Sequence, residues 1–438
     1  MMAGGRGPLL ALLFLLHFLL PEAFKILILS FIGGSHYLMM DEISQVLHNR
    51  GHEVRMLLQT GVLMIPGRKY EQPDTYQITA WSASQDYLKE YEKWFADYTE
   101  DFLKGREDLS RYLDFMNHLA YQCHVVLNES EILNSLKDEK FDITVMDGFN
   151  PCSFLVAEKL GLPFVAVFPG TFANGPQVGI PSLLSYVPVF YSNLADHMDF
   201  WGRVKNCLMS LVLAIVQYQV QTKFENVIKE HFPAGSRPVL SELYLKAELW
   251  TYNTDFSFEF AHPLLPNTLL ILQGHPMARL LVTHGGLNSL MESIYHGVPV
   301  VGIPLFGDQH DNMVRVEAKN MGITLRIDQL KADKFTRTMK QVIEDKRYKS
   351  AVMSLSTIHH SHPLPPDQRL GRWIEHVLQA RGGAHLQPYA FQQSWYQQYL
   401  LDVLLFLSGS VLGIIYLCVK LVRTAVFRIR SAGKQKQT

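Results

Sequence analysis

Apolar runs that end in polar turns alternate along this chain with stretches whose apolar residues recur every three or four positions. Phe24 to Phe31 reads as a buried strand, broken by Gly33, Gly34 and Ser35. His36 to Arg50 then carries Met39, Ile43, Val46 and Leu47 at helical spacing, with Gly51 as the stop and Val54 to Leu58 as the next strand. The pattern returns at Phe141 to Met146, a strand with Asp147 at its end. Asn150 and Pro151 supply a cap and a first helical residue, Cys152 to Leu160 a helix, Gly161 its stop, and Phe164 to Phe168 another strand. It recurs at Leu280 to Thr283, followed by the joint His284, Gly285 and Gly286. A helix from Asn288 to Tyr295 ends at Gly297, and a strand from Val298 to Ile303 is stopped by Pro304. Repeated strand–helix–strand units predict an α/β chain with parallel sheets, in which ligands bind at the carboxyl ends of the strands.

Between these units the pattern is less regular. Tyr70 to Asn134 is polar, aromatic and mostly helical in pattern, with aromatic and charged residues alternating over Glu90 to Lys104. Phe200 to Gln219 places Trp201, Val204, Leu208, Leu211, Val212 and Ile215 broadly on one side. It is too interrupted to span a bilayer, and a core helix and a membrane-surface segment both stay open. A first domain over residues 24–253, a proline-bearing linker at 254–267 and a second domain over 268–389 follow from these shifts. Helices are expected in the second domain at Met313 to Asn320, Lys334 to Asp345 and Gln368 to Ala380.

The ends carry addresses. Arg6, the apolar run Leu9 to Leu20 and Pro21 to Ala23 read as a secretory signal over residues 1–23. Residues 390–402 lead to an uncharged stretch, 403–419, which with Tyr399 to Leu401 approaches the roughly 20 residues needed to cross a bilayer. The tail, 420–438, is basic without an acid, so it is expected in the cytosol with the bulk of the chain lumenal, a single-pass type I arrangement. Lys434 and Lys436, fifth and third from the end, resemble a dilysine retrieval signal for the endoplasmic reticulum membrane. With 438 residues there is room for two or three domains, and a net charge of -1 argues against a nucleic-acid partner. Cys123, Cys152 and Cys207 precede the anchor and Cys418 lies within it, too few for a disulfide framework. Asn128-Glu129-Ser130 is an acceptable glycosylation sequon, with an occupied and an unused Asn128 both open.

Chemistry concentrates at the glycine joints. A strand, a glycine turn and a helix N-terminus let backbone N–H groups approach an anion, and from the glycines alone a phosphate site near Gly286 and ordinary turn punctuation both stay open. His36 sits at the mouth of the first unit, where a histidine serves as a helix-start polar residue or as a base, and Asp147 stands on the same sheet edge.

The residues THGGLNSLMES and GVPVVGIPLFGDQHDN, from Thr283 to Asn312, closely resemble the signature of the UDP-glycosyltransferase family, in particular the third vertebrate subfamily of membrane-bound, UDP-glucuronosyltransferase-like enzymes. The resemblance implies two Rossmann-like domains of the GT-B glycosyltransferase type and one C-terminal transmembrane helix. It implies that His284, Gly286, Asn288 and Ser289 meet the diphosphate, Glu292 the ribose, and Asp308 with Gln309 the transferred sugar. SHYLM after the first strand resembles the family's general-base site, making His36 the base and Asp147 its partner. Such a base would take the proton of a small lipophilic acceptor as it attacks the anomeric carbon of a UDP-sugar donor, and direct displacement inverts that carbon. No metal and no cofactor beyond the UDP-sugar co-substrate are expected, and association with itself or with other UDP-glycosyltransferases is.

The resemblance breaks at one place. The family's second domain opens with several strand–helix units before its His-Gly-Gly strand, yet only Thr268 to Leu281 stands there in this chain, and one such unit takes about 30 residues. The first strand of the domain, its serine-bearing phosphate loop and the Trp-x-Pro-Gln stretch that stacks on uracil are therefore expected to be missing. The chain reads as an internally shortened transferase whose turnover is low or absent. The alternative is an impaired member that acts as a partner or modulator of full-length relatives.

Overall fold

A computed structural model describes residues 23–62, 75–104, 109–168, 176–270 and 280–435. The expected signal falls almost wholly outside these residues. The described chain forms two compact units, one ending at Gln387 and the other beginning at Pro388.

The first unit opens with β1 (Lys25–Ser30), α1 (Ser35–Asn49), β2 (Glu53–Thr60) and β3 (Gln77–Ser82). Three helices follow, α2 (Gln85–Leu103), α3 (Leu109–Asn128) and α4 (Ser130–Asp138). The sheet resumes with β4 (Ile143–Asp147), α5 (Pro151–Leu160) and β5 (Phe164–Phe168). After α6 (Phe200–His231) and α7 (Leu240–Leu245), β6 (Leu249–Tyr252) and β7 (Thr268–Leu270) complete it. All neighbours pair in parallel, in the order β3-β2-β1-β4-β5-β6-β7. The order reverses between β1 and β4, and that crevice is where open α/β sheets bind ligands.

Both faces of this sheet are covered, which is why its strands read as continuous apolar runs rather than alternating ones. Leu27 and Leu29 pack on one side with α3, α5 and Phe224 of α6. Ile26 and Ile28 pack on the other with Met40, Ile43 and Leu47 of α1. Asn150 caps α5 as its sequence predicts, accepting from Cys152 N, and Gly161 ends it in the left-handed conformation. Cys123 of α3 and Cys152 of α5 are joined in a disulfide, their Cα atoms 5.3 Å apart. The cysteine count did not foresee this bond, because the packing of α3 on α5 brings together two residues that their spacing does not.

The second layer system holds β8 (Leu281–Thr283), α8 (Leu287–His296), β9 (Val300–Gly302), α9 (Gln309–Ala318) and β10 (Gly322–Thr324). It closes with α10 (Ala332–Glu344), α11 (Lys346–His360) and α12 (Pro366–Gln379). Its sheet has three parallel strands in the order β10-β9-β8 among the described residues.

Two boundaries and one helix differ from the sequence reading. Thr268–Leu270 does not open the second domain but runs as the edge strand of the first sheet, in register with Trp250 to Tyr252. Residues 254–267 are not a solvated linker throughout: Thr254, Asp255, Ser257, Phe258 and Glu259 are buried, and Phe258 sits in the core of the second layer system among Leu290, Ile294 and Val316. The helix α11 was not expected and covers that core with Val352. The expected last helix is seen, and it returns to the first sheet. Leu370, Ile374 and Val377 of α12 fill the layer over Ile26 and Ile28, and Glu375 forks onto Arg50 at 2.7 and 2.6 Å. A Cβ at Gly371 would lie 2.3 Å from the Arg50 side chain, so the glycine makes room for this pair.

The helix α6 continues past the predicted stretch to His231. Its second half buries Val216, Val220, Phe224 and Val227, whereas Phe200, Trp201, Leu208, Leu211 and Ile215 are exposed in its first half. The second unit contains one long helix, Leu401–Gln435, of which Leu401–Thr424 is apolar enough to cross a membrane. At 1.5 Å per residue that span is about 36 Å, enough for a hydrocarbon core of about 30 Å.

Candidate active site

The crevice between β1 and β4 holds the first pair. The backbone turns after β1 at Gly34, with φ of 62°, and places His36 in the first turn of α1, while Asp147 is the last residue of β4. His36 Nδ1 lies 2.8 Å from Asp147 Oδ2. The carboxylate is fully buried, and its other oxygen accepts from Phe149 N at 3.0 Å, so it cannot turn away. With Nδ1–H donating to Asp147, Nε2 is left as the ring nitrogen that can take a proton. Burial pulls the imidazole pKa down, but the charge and hydrogen bond of Asp147, with Asp308 adding to them, outweigh it and hold His36 above its usual value.

The second half of the site is the glycine joint after β8. Thr283 Oγ1 accepts from Gly285 N, and Gly285 takes a φ of 86° with Met313 and the Gln309 carbonyl about where a Cβ would project. The helix α8 then starts at Gly286 with no side-chain cap and no acid in its first turn. Its first N–H groups lack intrahelical partners and its dipole favours an anion. The His284 ring folds back over this start, since a Cβ on Gly286 would meet its Nε2 at 2.5 Å. Burial lowers the His284 pKa, keeping the ring neutral. Asn288 and Ser289 lie half-buried in that first turn and Glu292 is exposed one turn on.

Asp308 and Gln309 begin α9. Gln309 is buried, and its Oε1 accepts from Leu305 N and Phe306 N at 2.8 and 3.0 Å, so this oxygen shapes the loop that carries Asp308. Burial raises the Asp308 pKa, partly offset by the bond from Asn312 and by the charges of His36 and Arg315. The charges of His36 and Asp308 act on each other, so the carboxyl end of β1 and the start of α9 lie near one another.

Several residues that hold this cleft together went unnoticed in the sequence. Asn312 Nδ2 donates to Gly285 O at 3.1 Å and to Asp308 Oδ2 at 2.6 Å, joining the glycine turn to the acid. Asn253, next after β6, donates to Asn288 Oδ1 at 2.9 Å. Asp311 accepts from Tyr191 N and Asn193 N at 2.7 and 2.9 Å, and Arg315 pairs with Glu259 at 3.2 Å in a buried bridge. Phe102 of α2 stacks near Phe306 with ring centroids 5.0 Å apart, so the aromatic region after Tyr70 reaches the loop before Asp308. Apart from the i, i+4 contact of Asn312 with Asp308, none of these follows from spacing, because the partners are far apart in sequence. The remaining predicted residue, Asn128, is exposed at the end of α3, away from this constellation in sequence and element, with its amide 3.0 Å from His124 Nε2.

Two adjoining cavities lie nearby, one of which reaches a neighbour of the pair. One, of about 240 Å3, is walled by Ile180, Leu184, Leu213 and Phe260 with Glu259 and Arg315. The other shares Gln177, Leu213 and Gln217 with it and reaches Phe149, whose ring lies against His36 at 5.4 Å.

A family model described as UDP-glucoronosyl and UDP-glucosyl transferase matches residues 25–272 and 269–437. The chain is similar to human UDP-glucuronosyltransferase 3A1, 45% identical over an alignment of 525 positions that takes in all of both chains. It is 41% identical to UDP-glucuronosyltransferase 3A1 of Xenopus laevis over 524 positions, again with full coverage of both. Among solved structures, a UDP-glucosyltransferase from Polygonum tinctorium capable of glucosylating indoxyl, in complex with 3,4-dichloroaniline, superposes with a TM-score of 0.50 at 13% identity. That match covers 82% of this chain and 99% of the other, and it bears on the fold alone. The α/β architecture, the paired sheets facing one cleft and the end-to-end match to these relatives agree, and the chain belongs to the UDP-glucoronosyl and UDP-glucosyl transferase family.

Proposed function

We propose that this cleft transfers a sugar from a UDP-sugar to a small lipophilic acceptor with inversion at the anomeric carbon. The observation that carries the reading is the Asp147-bound His36 facing Asp308 in one cleft whose other wall is the uncapped start of α8. Neutral His36 takes the proton of the attacking acceptor atom at Nε2, and Asp147 stabilises the imidazolium that forms. The diphosphate gains negative charge as it leaves, and the N–H groups at Leu287 to Ser289 supply preorganised donors for it without a metal. On this reading Asp308 meets the sugar hydroxyls and Glu292 the ribose. The apolar cavities beside Phe149 and Leu213 suit a lipophilic acceptor.

On this reading the second domain is internally shortened. The two stretches matched by the family model overlap at 269–272, where the missing segment is expected from the sequence. The alignment of 525 positions takes in the whole of this 438-residue chain, so 87 of its positions have no counterpart here. Phosphate and sugar contacts survive and the uracil platform does not. Stacking of a base on an aromatic contributes about 1–3 kcal/mol, so donor binding falls by about 5- to 150-fold. The same reading puts the chain in the endoplasmic reticulum membrane with its bulk lumenal, which the apolar helix Leu401–Thr424 supports, and the exposure of Asn128 leaves its sequon open to a glycan.

A second reading, association with full-length relatives, is favoured by one feature. Among the described residues β8 pairs only with β9, leaving one edge of the small sheet open beside Val282, which is 44% exposed. Microsomes that express only this chain, assayed with a panel of UDP-sugars, separate the two. Donor-dependent product supports transfer. Absence of product, together with altered rates of a co-expressed relative, supports the modulator.

A further inference from the structure

Outside the transfer site, three ligand-type side chains from distant parts of the chain converge. Asp255 follows β6 and is buried, His359 is the penultimate residue of α11 and is buried, and His362 lies just beyond the end of that helix. Asp255 Oδ1 accepts from Ser257 N at 2.8 Å, which fixes the carboxylate. Its Oδ2 is turned to the two imidazoles, 2.7 Å from His362 Nε2 and 3.7 Å from His359 Nδ1. The three donor atoms all lie within 4.8 Å of one another.

Both imidazole nitrogens are buried and turned to the Asp255 carboxylate, and neither meets it with good hydrogen-bond geometry. Buried polar atoms held in poor geometry are costly. One carboxylate oxygen and two imidazole nitrogens converging on one point are the donor set of zinc and similar borderline cations. A zinc ion holds its N and O ligands at about 2.0–2.1 Å, which in a tetrahedron sets them about 3.3 Å apart. The separations of 2.7 and 3.7 Å straddle that value, so shifts of about half an ångström admit the ion. His362, with its side chain 32% exposed, leaves the fourth position to water.

We infer that Asp255, His359 and His362 bind a zinc-type divalent cation. Asp255 lies where the chain enters the second layer system, and the two histidines lie where it leaves for α12. The ion therefore clips together the two strands of chain that connect the layers, and it takes no part in sugar transfer. Linking residues this far apart in sequence stabilises chiefly by constraining the unfolded chain. A second cluster, His124, Glu230 and His231, lies on the surface with its members already paired, and it serves as the control.

The test uses the full chain in detergent, purified without a histidine tag and stripped with chelator. Zn²⁺ is titrated against a chromogenic chelator, and Co²⁺ is followed by its visible absorption. His362→Arg keeps a cation beside Asp255 while removing the ligand, so it preserves the ion pair and the fold. One equivalent of Zn²⁺, a tetrahedral Co²⁺ spectrum and a melting temperature that rises with Zn²⁺ are expected for the native chain. His362→Arg loses the spectrum, binds at least tenfold more weakly and melts without regard to Zn²⁺, while His231→Ala behaves as the native chain. No stoichiometric binding, binding unchanged in His362→Arg, or binding lost in His231→Ala overturns the site.

Discussion

Replacing Asp147 by asparagine keeps the shape of a fully buried side chain and removes the charge that acts on His36. A hydrogen bond to a charged group contributes about 1.5–3 kcal/mol. Spent in the transition state, where the imidazolium forms, that amount is about a 10- to 150-fold loss in kcat. An asparagine amide can also donate to Nδ1 and fix the opposite tautomer, which cost about 10⁴-fold where the same pair serves a serine protease. The expected loss therefore lies between these limits. The pH profile carries a second signature, because the acidic limb reports the base, which must be neutral. In the native chain Asp147 raises the His36 pKa against burial, and in Asp147→Asn burial is opposed only by Asp308, so the limb moves to lower pH.

The same pair gives a readout that needs no turnover. A raised folded-state pKa adds stability that is fully present below the unfolded value of about 6.5 and is lost as the pH rises through the folded pKa. The compact unit ends at Gln387, and at about 2.1 cal/mol/K per residue its unfolding entropy is roughly 0.8 kcal/mol/K, so 1.5–3 kcal/mol corresponds to about 2 to 4 °C. The melting gap between the native chain and Asp147→Asn should be near this size at about pH 5.5 and narrower at about pH 9. A gap that is the same at both pH values, with less than about a threefold loss in kcat and an unmoved limb, refutes the assigned coupling.

Removing the Cys123–Cys152 bond by a double change to alanine opens a loop of 29 residues. That is about 3.6 kcal/mol by loop entropy, or about 5 °C on the same scale, and a shift below about 1 °C contradicts it. Asn312→Ala unties Asp308 from Gly285 and should raise KM for the UDP-sugar about tenfold, with KM for the acceptor within about twofold. Equal rises in both constants would count against a positioning role. On α6, Ile215→Glu should change stability by less than about 0.5 kcal/mol, whereas Val220→Glu buries a carboxylate and should prevent folding. Equivalent yields and melting curves for the two variants would show that the exposed and buried faces are wrongly assigned.

The sequence made the first sheet largely legible because its strands are buried on both faces and its helices carry their own punctuation. Asn150 and Gly161 bound α5 in the structure as they do on paper. Gly297 likewise ends α8 in the left-handed conformation. His36 and Asp147 could be paired only through family resemblance, since nothing local links residues 111 apart. What escaped was long-range. Thr268–Leu270 is too short to declare which sheet it joins, and the pairing with β6 decided it. Asp255 to Glu259 looks like a turn in a proline-bearing linker, yet Phe258 and the Arg315–Glu259 pair are interior to the fold. The disulfide depends on how α3 crosses α5, which periodicity does not encode.

The shortening of the second domain is the central claim, and initial rates over a range of UDP-sugar concentrations test it most directly. Two chains are compared: this one, and a version whose segment between Leu270 and Leu281 is replaced by the corresponding longer segment of human UDP-glucuronosyltransferase 3A1. The restored chain should show a donor KM lower by about 5- to 150-fold, the contribution of a recovered base platform, with turnover still abolished by His36→Ala. The same donor KM in both chains, or turnover that survives His36→Ala, would contradict it.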